Sequence, residues 1–162
     1  MDYYDKIATG YDELHLKEQS RKLDLIKKNI DIDSKTKILD VGCGTGISSK
    51  FDCFVAGIDP SIRLLKLNNN KNKILGIAEF LPFKREFFDY VISVTAVHNF
   101  DDFNKALEQM KIVGKENFVF SILKKSKNFD AIKKTIEEMF NIVKAVAEEK
   151  DVIFFCKKPQ DL

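Results

Sequence analysis

From Leu14 to about Ile30, apolar residues recur at helical spacing (Leu16, Leu23, Ile26, Ile30) among Lys, Glu and Gln, which predicts an amphipathic helix whose charged face is solvated. A short β-branched and apolar run follows at Lys37 to Val41 and stops at the glycine-rich turn Gly42-Cys43-Gly44-Thr45-Gly46, the pattern of a buried strand ending in a tight turn. A second strand fits Cys53 to Ile58. A short helix fits Ser61 to Leu67, with Ser61 as its cap after Asp59-Pro60, and a third strand fits Lys73 to Ile77. Phe88 to Val94 reads as a fourth strand. Asp101 or Asp102 caps a helix running to about Val113, Asn117 to Leu123 reads as a fifth strand, and Asp130 to Phe140 is again helical in spacing. Two strand-like pieces, Asn141 to Ala147 and Asp151 to Cys156, are joined by Glu148-Glu149-Lys150 and predict an antiparallel hairpin.

Strands alternating with helices, closed by a hairpin, imply an α/β fold: a Rossmann-like, doubly wound sheet, mostly parallel with an antiparallel C-terminal strand. At 162 residues, without repeats or Pro- or Ser-rich linkers, the chain is expected to form one domain. Within it, residues 1–34 make an N-terminal helical segment and 35–162 the core. The polar stretch Asn68-Asn69-Asn70-Lys71-Asn72 is expected to be a surface loop.

Composition narrows the classes. The apolar fraction of 44% and charged fraction of 32% suit a soluble globular protein, and no apolar run approaches the roughly 18 residues that span a bilayer. The N-terminus does not read as a secretory signal, so a cytoplasmic location and no membrane insertion are expected. A formal charge of +2 lacks the basic excess of many nucleic-acid binders and neither demands nor excludes RNA. Cys43, Cys53 and Cys156 are odd in number with no C-x-x-C pair, so reduced thiols are expected and no metal site.

The chemistry concentrates at strand ends. Glycines at Gly42, Gly44 and Gly46 let the backbone pass close to a ligand, and Asp59, ending the second strand in Gly57-Ile58-Asp59-Pro60, can accept both hydroxyls of a ribose. Matched positions on successive strands of a βαβ unit point to a nucleoside.

The run Ile38-Leu39-Asp40-Val41-Gly42-Cys43-Gly44-Thr45-Gly46 resembles the first motif of class I S-adenosylmethionine-dependent methyltransferases. Tyr4 to Asp12 resembles the N-terminal tyrosine segment of the small, ubiquinone-biosynthesis-like (methyltransferase type 11) branch. Gly57 to Ser61 resembles the second motif, Ala78 to Phe83 the adenine loop, and Phe88 to Ser93 through Val97-His98-Asn99 the fourth-strand segment. The resemblance implies S-adenosyl-L-methionine as cofactor and methyl transfer (EC 2.1.1.-) as activity. It implies that Asp40 anchors the loop and reaches the methionine amino group, Gly42, Gly44 and Gly46 admit the amino acid and ribose, and Asp59 holds the ribose hydroxyls. It further implies that Ala78 offers an amide to adenine, Tyr11 closes over the cofactor, Ser93 to Thr95 line the methionine side, and His98 and Asn99 face the acceptor.

The chain departs from that pattern in three places. Ile77 stands where an aspartate often meets the adenine amino group, leaving that contact to Glu79. Gly46 to Phe54 is too short for the usual first helix. Val113-Gly114-Lys115-Glu116-Asn117 replaces a Pro-Gly-Gly turn, with Gly114 ending the helix. A nicotinamide oxidoreductase is disfavoured because its third fingerprint glycine is replaced by Ile47. His98 is the candidate catalytic base, His15 reads as surface, and Phe80, Phe83, Phe87 and Phe88 read as core. A small-molecule acceptor is favoured, with RNA or protein acceptors open; an activating subunit, or cofactor binding without turnover, is the other reading, and oligomeric state is unreadable.

Overall fold

A computed structural model describes residues 3–161, with side chains described from Glu13 onward. Tyr11 therefore lies, as a side chain, outside the described residues. The chain opens with a long helix, α1 (Tyr3–Asn29), and β1 (Lys37–Val41) then leads into the glycine turn. Only a single 3-10 turn, Ile47–Ser49, separates that turn from β2 (Phe54–Asp59). There follow α2 (Ile62–Lys66), β3 (Lys73–Leu75), β4 (Phe88–Val94), α3 (Phe103–Val113), β5 (Gly114–Leu123), α4 (Phe129–Met139), β6 (Asn141–Ala147) and β7 (Asp151–Lys157).

These strands form one seven-stranded sheet in the order β3-β2-β1-β4-β5-β7-β6. The pairs among β1 to β5 are parallel, whereas β7 runs antiparallel to both β5 and β6. The order reverses between β1 and β4, which places a crevice at their carboxyl ends. This is the doubly wound sheet with a reversed C-terminal strand that the alternating pattern predicts.

Strand alternation divides the core into two layers. Leu39, Val41, Val91, Phe118, Phe120 and Phe154 point to one face, where α3 and α4 bury Leu107, Met110, Ile132 and Ile136. Ile38, Ile92, Val119, Ile153 and Phe155 point to the other, where Ile26 of α1 packs on them. The N-terminal helix is thus a full layer of the fold.

Local chemistry explains the boundaries. Ser61 Oγ accepts from the Leu64 amide to start α2, and the Asp102 carboxylate accepts from the Lys105 amide to start α3. Gly114 does end α3, in extended backbone, and β5 starts there, three residues earlier than the β-branched pattern indicates. A Cβ at Gly114 would stand 2.5 Å from the Phe118 ring, so close packing explains the glycine. Phe80 is corrected from core to surface: it is 62% exposed, and the Lys105 ammonium lies 4.3 Å above its ring. Among the described residues no helix is long and apolar enough to cross a membrane.

Candidate functional site

A cleft of about 400 Å³ opens at the carboxyl ends of β1, β2 and β4. Gly42, Cys43, Gly44, Thr45 and Ser48 form one wall, Asp59, Pro60 and Leu64 a second, and Val94, Thr95 and Ala96 the floor. Asn99 and Phe100, with His15 and Gln19 of α1, complete its lining. Gly42, Pro60, Asn99 and Phe100 also border a smaller recess of about 150 Å³ lined by Gly76, Ile77, Ala78 and Glu79, so the two adjoin.

Close approach dictates the glycine turn. Gly42 has φ +76, and a Cβ on it would stand 2.6 Å from the Ala96 Cβ across the cleft floor. Only glycine supplies both that backbone and that clearance. The turn is anchored from beneath by Asp40, fully buried at the end of β1, whose Oδ2 accepts from Ser48 Oγ and Ser49 Oγ, each at 2.7 Å. Its Oδ1 is buried without a hydrogen-bonding partner among the described residues. Burial pushes the Asp40 carboxyl up to about 6, against the two serine hydroxyls that favour the charged form. Asp40 therefore sits behind the cleft wall.

Asp59 is the one carboxylate on the wall of the larger cleft among the described residues. Its Oδ2 accepts from the Gly44 amide at 2.9 Å and its Oδ1 from the Ser61 amide at 2.8 Å, which fixes the carboxylate at the end of β2. Cys43, beside it, is buried, and burial pushes its thiol up to about 12, so it is an inert small residue. Cys43, Cys53 and Cys156 are all free thiols.

The remaining expected residues separate into wall and support. Ala78 and Glu79 line the smaller recess, where Glu79 Oε1 accepts from the Asp102 amide at 3.3 Å. Ser93 does not reach the cleft; its Oγ donates to the Val41 carbonyl at 2.9 Å and ties β4 to β1. Gly46 faces an outer groove of about 700 Å³ on the far side of the turn. His98 is half-buried and absent from the described cleft lining, with Nδ1 buried and without a hydrogen-bonding partner among the described residues. Burial lowers its pKa, opposed by the Asp151 carboxylate, so the ring is neutral near pH 7.

Thr95 is the exception, being both wall and support. It takes φ +53, rare for a branched residue, and its Oγ1 donates to Asp151 Oδ2 at 2.7 Å while accepting from Lys22 Nζ at 2.8 Å. Ser121 Oγ donates to the same carboxylate oxygen. Sequence reading missed this cluster, together with His15 and Gln19 as cleft residues. One signal was present: His15, Gln19 and Lys22 recur at i, i+4 and i+7, a polar stripe on the helix face that also carries Ile26. Among the described residues no group of His, Cys, Asp and Glu could hold a metal.

A family model described as "Methyltransferase domain" matches residues 39–122. The chain is 29% identical over 124 residues to an Arabidopsis thaliana tRNA (carboxymethyluridine(34)-5-O)-methyltransferase, covering 72% of this chain and 30% of that protein. It is 29% identical over 131 residues to a Listeria welshimeri demethylmenaquinone methyltransferase, covering 66% and 54%. The chain spans about half the length, or less, of these curated relatives. In structure it is similar to a chain of the complex between the Haloferax volcanii Trm112 methyltransferase activator and a methyltransferase, with a TM-score of 0.77, 12% identity, and 97% and 96% of the two chains covered.

Proposed function

The chain belongs to the methyltransferase domain family, with S-adenosyl-L-methionine as its cofactor, and we propose that it catalyses methyl transfer from that cofactor to a small-molecule acceptor. The carrying observation is the cleft over the glycine turn with Asp59 fixed on its wall, and the recess adjoining it that holds Glu79. Asp59 is the group to hold ribose hydroxyls, and the recess at Ala78 and Glu79 suits a flat heterocycle. From behind the cleft wall, the buried, unpaired Oδ1 of Asp40 supplies a partner for a cationic amino group through a water. Tyr11 retains its proposed role as a cover.

The cofactor, when bound, supplies a methyl group already activated on a sulfonium. The protein's part is then to hold the acceptor in line and exclude water, which needs few acid or base groups. Beyond the glycine turn and Asp59, the cleft lining includes the uncharged Gln19, Asn99 and Phe100 together with His15, and a cleft of this size admits a small molecule. His98, outside the described lining, is proposed to take no direct part in the transfer.

The tRNA-modifying relative favours a second reading, in which the acceptor is a nucleoside within RNA. The Haloferax complex favours an activating protein subunit for either reading.

Calorimetry with S-adenosylhomocysteine and with NAD tests the cofactor role: heat with the first and none with the second is expected, and Asp59→Ala should abolish the heat. No heat from S-adenosylhomocysteine sinks the reading. Transfer of a radiolabelled methyl group into fractionated extract then separates an enzyme from a binder, with label expected in the low-molecular-weight fraction; label in RNA would establish the second reading.

A further inference from the structure

The asparagine stretch between α2 and β3 is not a passive surface loop. Its first residue, Asn68, is 2% exposed and lies against the outer side of the glycine turn. Asn68 Nδ2 donates to the Gly44 carbonyl at 3.0 Å, while Asn68 Oδ1 accepts from the Asn70 amide at 2.8 Å. Because Oδ1 faces a backbone donor, the side-chain amide has one sensible orientation, with its NH2 toward Gly44. The Asn68 backbone is fixed as well: its amide donates to the Leu65 carbonyl at 3.1 Å, and its carbonyl accepts from Lys73 Nζ.

Gly44 is consequently held from both ends. Its amide is bound by Asp59 from the cleft side and its carbonyl by Asn68 from the outside. The turn is also fitted to the asparagine sterically: Gly46 sits at φ +88, and a Cβ there would stand 2.6 Å from Asn68 Oδ1. The single 3-10 turn at Ile47–Ser49 provides no long helix to brace the glycines from this side.

We propose that Asn68 is a positioning residue for the cofactor, bracing the glycine turn where a following helix is missing. The inference rests on the cofactor reading above. Removing the Nδ2 donor leaves a buried carbonyl unpaired and frees Gly44 to move, so binding must then reorder a wall that is otherwise already set.

Asn68→Asp keeps the shape and removes the donor. It should weaken S-adenosylhomocysteine binding by about ten-fold in calorimetry and speed hydrogen exchange at the Gly44 to Gly46 amides. Asn70→Ala is the comparison: it removes the bond from Asn70 Nδ2 to the Val55 carbonyl, 2.8 Å, and that from the Asn72 amide to Asn70 Oδ1, 3.1 Å, in the same stretch without touching the turn. It should lower the melting temperature and leave binding within about two-fold of the unsubstituted protein. Asn68→Ser, too short to reach Gly44, carries the same expectation if Asn68→Asp does not fold. Near-unchanged binding by the Asn68 variants, or an equal loss in Asn70→Ala, overturns the proposal. Absence of binding by the unsubstituted protein would instead overturn the cofactor reading beneath it.

Discussion

Lys22 Nζ and Asp151 Oδ1 meet at 3.2 Å with both side chains essentially out of solvent, 2% and 0% exposed. The pair joins α1 to the first residue of β7, and through Thr95 it reaches the cleft floor. An N-terminal helix whose charged face reads as solvated thus sends one ammonium into the core.

Breaking this pair on one side leaves an uncompensated buried charge, which typically costs about 3–5 kcal/mol. Lys22→Met is expected to lower stability by that order in urea unfolding. Lys22→Met combined with Asp151→Asn should recover part of the loss, because the Thr95 and Ser121 hydroxyls can still donate to an amide oxygen. A double variant no more stable than Lys22→Met would show that the loss comes from packing instead of charge.

Asp40 makes stability depend on pH in an unusual direction. Burial pushes its carboxyl up from the ordinary 3.8 to about 6, so between these values the folded state keeps a proton that the unfolded chain has released. Its contribution is complete below about 4 and is lost as pH rises from there through about 6, a loss of roughly 3 kcal/mol by neutral pH. Asp40→Asn should therefore gain on the parent as pH rises from 4 to 7.5, with Ser48 and Ser49 still donating to the amide oxygen. Urea midpoints across that range check this; a constant difference between parent and variant would contradict it.

His98→Gln should leave methyl transfer largely intact, because the ring is not among the described residues of the cleft. A working general base contributes about 100-fold or more, so a loss below about ten-fold is the expected outcome once an acceptor is known. A loss of 100-fold together with a vanished acid limb in the pH–rate profile would restore His98 as the base.

Much of the fold was legible because its signals are local. Near-continuous apolar runs in Lys37 to Val41 and Phe88 to Val94 mark strands buried on both faces, and the same short-range reading found the cap Ser61 and narrowed the next to Asp101 or Asp102, of which the structure uses Asp102. The glycine turn and Asp59 were legible for the same reason: strand-end position and residue type already say where a backbone must bend and a carboxylate stand.

Position along the chain does not say which polar residues meet. Asp40 and Ser93 are set by the sequence at strand ends, yet only the packed sheet turns them inward as supports instead of cleft walls. Lys22 looks like any surface lysine until α1 lies across the sheet and Asp151 arrives from the last strand. Asn68 looks like loop until the missing helix leaves the glycine turn open to it. The sequence by itself determined the elements, their order and the glycine turn that ends the first strand, because propensity and periodicity act over a few residues. Only the tertiary structure decided which buried polar groups pair, because each such pairing depends on a desolvated partner brought from a distant segment.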